Sequence, residues 1–294
     1  MSQQTVLFDA PGPKARRRIL ITNIVAVIVV AALIALVLWR LWDQGQLRPH
    51  LWLNAINGNA WTNYLLLGLQ FTLQAAAIAV VTSLIFGLAF GFLRLAPYAP
   101  FRGFAMVIVE FFRAVPVLIL MVFFLSFYSQ IIAPTGLIDP RNAPYFSVIT
   151  ALTLYNGSVI AELVRSGVKS LPRGQREAAM AIGMTNTLSL RTVEVPQAVI
   201  AMLPSLISQF VIILKDSALG YLIGFSELLR YARQLGSGYG NILQSITVAA
   251  ILFILLNFLL GWVATKLSRR LSSRTAGDTT AEAPGGAIGK PATP

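Results

Sequence analysis

The sequence contains no cysteine, so it carries no disulfide framework and no thiolate metal site. It has a single histidine, His50, which leaves no His-based catalytic or zinc cluster. Charge is also scarce. Only 12% of the residues are charged and 56% are hydrophobic, against about 25% charged in soluble domains. A phosphate-binding loop of the form G-x-x-x-x-G-K-[ST] is missing. The nearest text, "GAIGKPA" near the C-terminus, lacks the spacing. These absences argue against a soluble enzyme and against ATP hydrolysis by the chain itself. No catalytic residue, cofactor or metal site is expected.

What is present is a series of long apolar runs. Residues 19–39 are uncharged, long enough to cross a hydrocarbon core. A basic flank, "KARRR", precedes them, as in a signal peptide. The run is too long for one, however, and "RLWDQGQ" offers no small-residue cleavage site. Residues 19–42 are therefore read as a retained span. Further runs cover 64–93, 104–132, 145–160, 199–225 and 246–264, giving about six spans in an all-α membrane protein. Residues 1–18 and 269–294 read as polar disordered tails. Glu110, Arg113 and Pro116 interrupt the third run, and Pro116 predicts a kink there. Glu110 with Arg113, and Glu162 with Arg165, are three apart and able to pair. Gly87 and Gly91 form a small-xxx-small face, and Asn257 is placed to bond a neighbouring helix.

The net charge of +12 is distributed as a membrane protein requires rather than in an aromatic-laced patch for nucleic acid. Sixteen of the 23 Lys and Arg lie in the two tails, the 94–102 turn and the 165–191 loop. The alternate loops hold five: Arg40, Arg48, Arg141, Arg230 and Arg233. The positive-inside rule places both termini and the 165–191 loop in the cytoplasm.

That loop is the least membrane-like part of the core. Ser170 is a candidate cap with Pro172 in the following first turn, "REAAMAI" is a run of helix formers, and Gly183 stops the helix. Asn186 or Thr187 then caps a second short helix, which Pro196 ends. The result is a helix–Gly–helix hairpin with a small apolar surface from Ala178, Ala179, Ile182 and Met184. Such a loop could lie on the membrane surface. Alanine buries little area in lipid, though, and suits a groove in a protein partner.

The loop resembles that of the membrane-spanning subunits of ATP-binding-cassette importers, E-A-A, three residues, G, nine residues, I-x-L-P. Here Glu177, Ala178, Ala179, Gly183, Val193, Val195 and Pro196 occupy those positions, with valine at both aliphatic sites. "LLLGLQFTLQAAA", "EFFRAVPVLILMVFF", "ELVRSGVKSLPRGQREAA" and "PQAVIAMLPSLISQFVIILKDSALGYLIGFSEL" resemble the polar-amino-acid branch, and Ala114-Val115 stands where that branch has Gly-Thr. The resemblance covers about 62–268, with the loop at about 166–197, and leaves the first span as an addition to a five-span core. The added span and long tail look most like glutamate-type permeases. The resemblance implies a type I ABC importer permease in the bacterial inner membrane. It also implies a second permease subunit, a cytoplasmic ATPase dimer gripping the loop, an extracytoplasmic solute-binding protein and an amino-acid substrate, with lipid around the spans.

Lys215 and Asp216 break the fifth run, and charges at membrane depth mark a pair or a pathway. Gln209, Ile212, Asp216 and Leu219 fall near one helical face with Lys215 beside it. A cation next to an anion suits the ammonium and carboxylate of an amino acid. Gln209, Lys215 and Asp216 are thus the expected substrate pathway, and in the resembled family this span lines the central cavity. Two other readings stand beside the importer. One is an ion-gradient transporter using Glu110 and Asp216, although no internal repeat is seen. The other is a membrane scaffold that docks a soluble partner.

Overall fold

The computed structural model describes residues 12–276, without the side chains of Arg173 and 267–276. Every regular element among them is helical. Of the expected disordered tails, 1–18 and 269–294, residues 1–11 and 277–294 lie outside the described residues, whereas 13–18 and 269–276 are helical rather than disordered.

Helix α1 (Pro13–Asp43) starts earlier than the expected span: Pro13 occupies its first turn, where a missing N–H costs nothing, and Lys14 to Arg18 are helical. Two short helices, α2 (Pro49–Ala55) and α3 (Gly58–Ala60), and a wide π-turn over Trp61–Leu65 lead into α4 (Leu66–Leu93). The third expected run is divided into α5 (Ala99–Ala114) and α6 (Val117–Phe127). Pro116 does more than kink it. Val115 is extended (φ −84°, ψ 126°), as a residue before proline prefers, so the helix ends and restarts. Helix α7 (Ala143–Lys169) outlasts its expected end at 160 by nine residues, carrying Glu162 and Arg165 on its last turns. The loop elements are α8 (Arg173–Ala181) and α9 (Asn186–Ser189). Helix α10 (Val195–Ser217) follows, then a tight 3₁₀ segment, α11 (Leu228–Tyr239) and α12 (Ile242–Ala276). The last runs well past the expected end of its span at 264.

Six segments among the described residues are long and apolar enough to cross a membrane. Helix α7 is the axle, packed by α4, α5, α6 and α10. Its parallel contact with α4 depends on missing side chains. A Cβ on Gly87 would stand 2.4 Å from Ile160 and 2.9 Å from the Gly157 carbonyl, and one on Gly91 would stand 2.7 Å from Val164. Ser83 Oγ donates to the Leu152 carbonyl at 3.2 Å, and the Thr82 and Thr153 hydroxyls meet at 2.5 Å. Small residues and inter-helix hydrogen bonds are what drive association where lipid is as apolar as leucine. Ala75, Ala79, Met121, Val148, Leu152 and Ile213 fill the space among α4, α6, α7 and α10.

At the end opposite the 170–194 loop, α11 packs on the starts of α4 and α12. Glu227 caps α11, accepting from the amides of Leu229 at 2.8 Å and Arg230 at 2.7 Å. Burial pushes this carboxyl up to about 7 against those two hydrogen bonds. Asn257 bonds the Phe253 carbonyl of its own helix at 2.7 Å, not a neighbouring helix as expected. An i−4 carbonyl is always within reach of a short polar side chain.

Candidate functional site

The 170–194 segment folds as a hairpin projecting from one end of the bundle. Pro172 is the N-cap of α8, and Ser170 does not cap it. Its Oγ turns back to the Gly167 carbonyl at 2.9 Å and closes α7 instead. Gly183 ends α8 in the left-handed region (φ +88°). Its amide donates to the Met180 carbonyl at 3.0 Å, and the Met184 amide donates to Ala179 at 3.1 Å. This is the Schellman pattern, which needs a residue without a Cβ at that turn. The second helix is capped by Thr185, one residue before the expected Asn186 or Thr187; its Oγ1 accepts from the Leu188 amide at 3.3 Å. Pro196 does not end this helix. A π-turn over Leu190–Glu194 carries the chain into α10, where Pro196 sits in the first turn. Its lack of a donor is harmless there.

Glu194 is the inner clip of the hairpin. It is buried, accepts from Ser189 Oγ at 3.0 Å and faces Arg176 Nε at 3.7 Å. Gln197 reaches Gln175 at 3.3 Å and ties α10 to α8. Of the motif residues, Ala179 is buried within the hairpin, while Glu177, Ala178, Gly183 and Pro196 are exposed and Val193 and Val195 half-buried. The exposed apolar surface comes from Met180, Ile182 (76% exposed) and Leu188. Met184, expected on that surface, is half-buried beneath the turn. Met180 and Leu188 went unremarked in the sequence, because only the turn geometry shows which side of each short helix faces out.

Where α4, α5 and α7 approach this hairpin, five charges form one network. Arg94 donates to Glu162 at 2.7 Å and to Glu110 at 3.0 Å. Arg113 lies 3.4 Å from Glu110 and 3.6 Å from Glu162, and Arg165 pairs with Glu162. Both expected pairs are present. Arg94, counted only as a loop cation in the sequence, joins them from a 95%-buried position (side-chain exposure 5%). No local signal pointed to it: Glu110 and Glu162 each already have an arginine three residues on, and only the fold brings Arg94 to them.

The three pathway residues separate. Gln209 is buried and donates to Asn156 Oδ1 on α7 at 2.6 Å. Asp216 is half-buried, and Lys215 is exposed, lining a cleft with Pro204, Ser208 and Ile212 of α10 and Gly261 and Thr265 of α12. Of the three, Lys215 alone lines the cleft between α10 and α12, and Lys215 and Asp216 form no ion pair among the described residues. Successive residues on a helix diverge by about 100°. Asn156, the buried partner of Gln209, was missed; a second amide within an apolar run was its signal.

Residues 83–273 match the family model described as binding-protein-dependent transport system inner membrane component. The chain is 44% identical over 233 residues to the glutamate transport system permease protein GluD of Corynebacterium glutamicum, covering 79% of this chain and 84% of that protein. It is 30% identical over 208 residues to the glutamate/aspartate import permease protein GltK of Escherichia coli, covering 70% and 93%. Among solved structures it matches a crystal structure of an amino acid ABC transporter with histidines, with TM-score 0.63 and 26% identity, covering 71% of this chain and 95% of that one. The chain therefore belongs to the family of binding-protein-dependent transport system inner-membrane components and has the type I ABC importer permease fold.

Proposed function

We propose that the chain is the permease subunit of a glutamate-class importer and that the 173–194 hairpin is the grip of a separate ATPase. The supporting observation is the exposure of Met180, Ile182 and Leu188 around a Gly183 turn at φ +88°. The hairpin is clipped by Glu194 and runs directly through the π-turn into α10, so a push on its apolar patch reaches that helix. Both termini and the hairpin lie in the cytoplasm, the side favoured by the Lys and Arg distribution. The working unit has two permease chains, two ATPases and an extracytoplasmic binding protein. Residues 62–268 form its transport domain, and α1 is an addition to it. Glutamate is favoured by the functions of GluD and GltK.

The coupling role is tested by co-purification with ATPase subunits, wild type against Gly183→Asp. An aspartate side chain at positive φ strains the turn and charges the patch. Loss of the ATPase from the variant alone is the expected result; retention by both forms removes the hairpin from the coupling path. The solute path runs along α10, with Lys215 in the cleft facing α12, Gln209 against Asn156 of α7, and Asp216 two turns beyond Gln209. Lys215→Met and Asp216→Asn each lower glutamate uptake at least about tenfold with insertion retained, the scale of one lost charge contact. Unchanged uptake in both would place the path elsewhere.

A further inference from the structure

Between the hairpin and the bundle end lies a cleft of about 490 Å³, walled by Arg94, Arg102, Lys169, Pro172, Arg176 and Glu194 among others. Among the described residues, four cations and one carboxylate thus line it. Their commitments differ. Arg94 spends its terminal nitrogens on Glu110 and Glu162, but its Nε is buried with no hydrogen-bond partner. Arg176 stands 3.7 Å from Glu194, a loose contact. Arg102 and Lys169 are exposed and make no ion pair among the described residues. The cleft is therefore under-neutralised and invites an anion.

Its surroundings identify which anion. The start of α5 beside Arg102 carries Tyr98 and Phe101, 68% and 57% exposed, their rings edge-to-face at 6.5 Å. Phe104, Val107 and Phe111 follow at helical spacing, all exposed, so an apolar stripe climbs α5 away from the cleft. Aromatics mark the interfacial depth of a membrane, and basic pockets between helices at that depth hold lipid headgroups. A free phosphate would use the cations and leave the stripe idle. We propose that this cleft binds the phosphate of an anionic phospholipid, with its acyl chains along the α5 stripe. The lipid would bridge Arg102 on α5 and Lys169 at the end of α7, just under the hairpin. This inference needs neither the substrate nor the ATPase partner proposed above.

The test uses the delipidated full chain in detergent, titrated with phosphatidylglycerol or phosphatidylcholine and read by native mass spectrometry. Wild type should retain phosphatidylglycerol preferentially. Arg102→Gln/Lys169→Gln should weaken it about 30-fold and Arg102→Gln alone about fivefold, the scale of one interfacial cation each. The charge-matched control Arg40→Gln/Arg48→Gln, at the opposite end, should bind as wild type. Arg102→Lys/Lys169→Arg should restore retention, which separates lost contacts from misfolding. Equal retention of both lipids, or equal loss in the control, would overturn the site. So would displacement of the lipid by inorganic phosphate at matching concentration, which would make the cleft a pocket for free anions.

Discussion

Helices α1 and α7 are both long enough to span a membrane, yet they are opposites in packing. No residue of α1 is buried in the chain, and its span is the most apolar of the six. The span of α7 is the least apolar and 56% buried. In water the order would be reversed. In a bilayer, apolarity measures fitness for lipid, whereas burial between helices goes to residues that let backbones approach or hydrogen-bond across. Ser147, Asn156, Gly157, Ser158 and Ala161 of α7 are such residues, and all are buried. Helix α1 is dominated by Ile, Val and Leu, and even its small pair Ala31 and Ala35 meets no neighbour among the described residues.

The sharpest way to break this contrast is to give α4 a side chain where α7 sits. Gly87→Leu would drive atoms into Ile160 and the Gly157 carbonyl, and backbone cannot rotate aside. Overpacking costs about 1–3 kcal/mol in cores that relax, and this contact relaxes less. The expected result is loss of monodisperse protein after detergent extraction. Gly103→Ala on α5, with nothing within 4 Å of the added Cβ, should be neutral or slightly stabilising by helix propensity. If the two variants extract equally well, α4 and α7 are not held at the distance described.

The next measurement grades charge by burial within the five-charge network of α4, α5 and α7. Glu162→Gln removes the partner of Arg94, whose side chain is 5% exposed. Stranding a buried cation costs about 3–5 kcal/mol. Glu110 remains beside Arg94 and Glu162 is 22% exposed, so about 2–3 kcal/mol is expected in thermal unfolding. Arg113→Gln, at a 36% exposed position, should cost under about 1 kcal/mol. Equal costs would mean that the five charges act as a loose surface cluster rather than a network organised on Arg94.

These expectations also mark what the sequence could say. Spans and their number were legible because hydropathy is a direct readout of lipid contact. Gly87–Gly91 and the two i,i+3 ion pairs were legible because helix periodicity alone brings them together. The Schellman turn at Gly183 was legible from one glycine after a run of helix formers. The pairings of Arg94 with Glu162 and of Gln209 with Asn156 were not, because they join helices 68 and 53 residues apart. Nothing local fixes such a register. Helix ends failed for a different reason. Composition marks where apolarity stops, and α7 continues as helix past that point because its charged last turns are paired.

The smallest effect is predicted for the helix with nothing to lose. Deleting residues 1–40 leaves the anchor at the end of α1 in place, where Gln244 Nε2 donates to the Gln46 carbonyl at 2.6 Å and Trp52 Nε1 to the same oxygen at 3.3 Å. Bundle stability should change by no more than about 0.5 kcal/mol, the range of exposed substitutions. Topology is the more telling readout, because removing one span changes the parity of crossings. Arg94, Arg102 and the cations of the 165–191 loop remain and fix the core's orientation, so the new N-terminus must move to the opposite side of the membrane. A protease-sensitive tag there should become accessible from outside while the hairpin stays protected. A destabilisation approaching that of Gly87→Leu would instead mean that α1 packs on a surface outside its own bundle, and its apolarity would then reflect a partner rather than lipid.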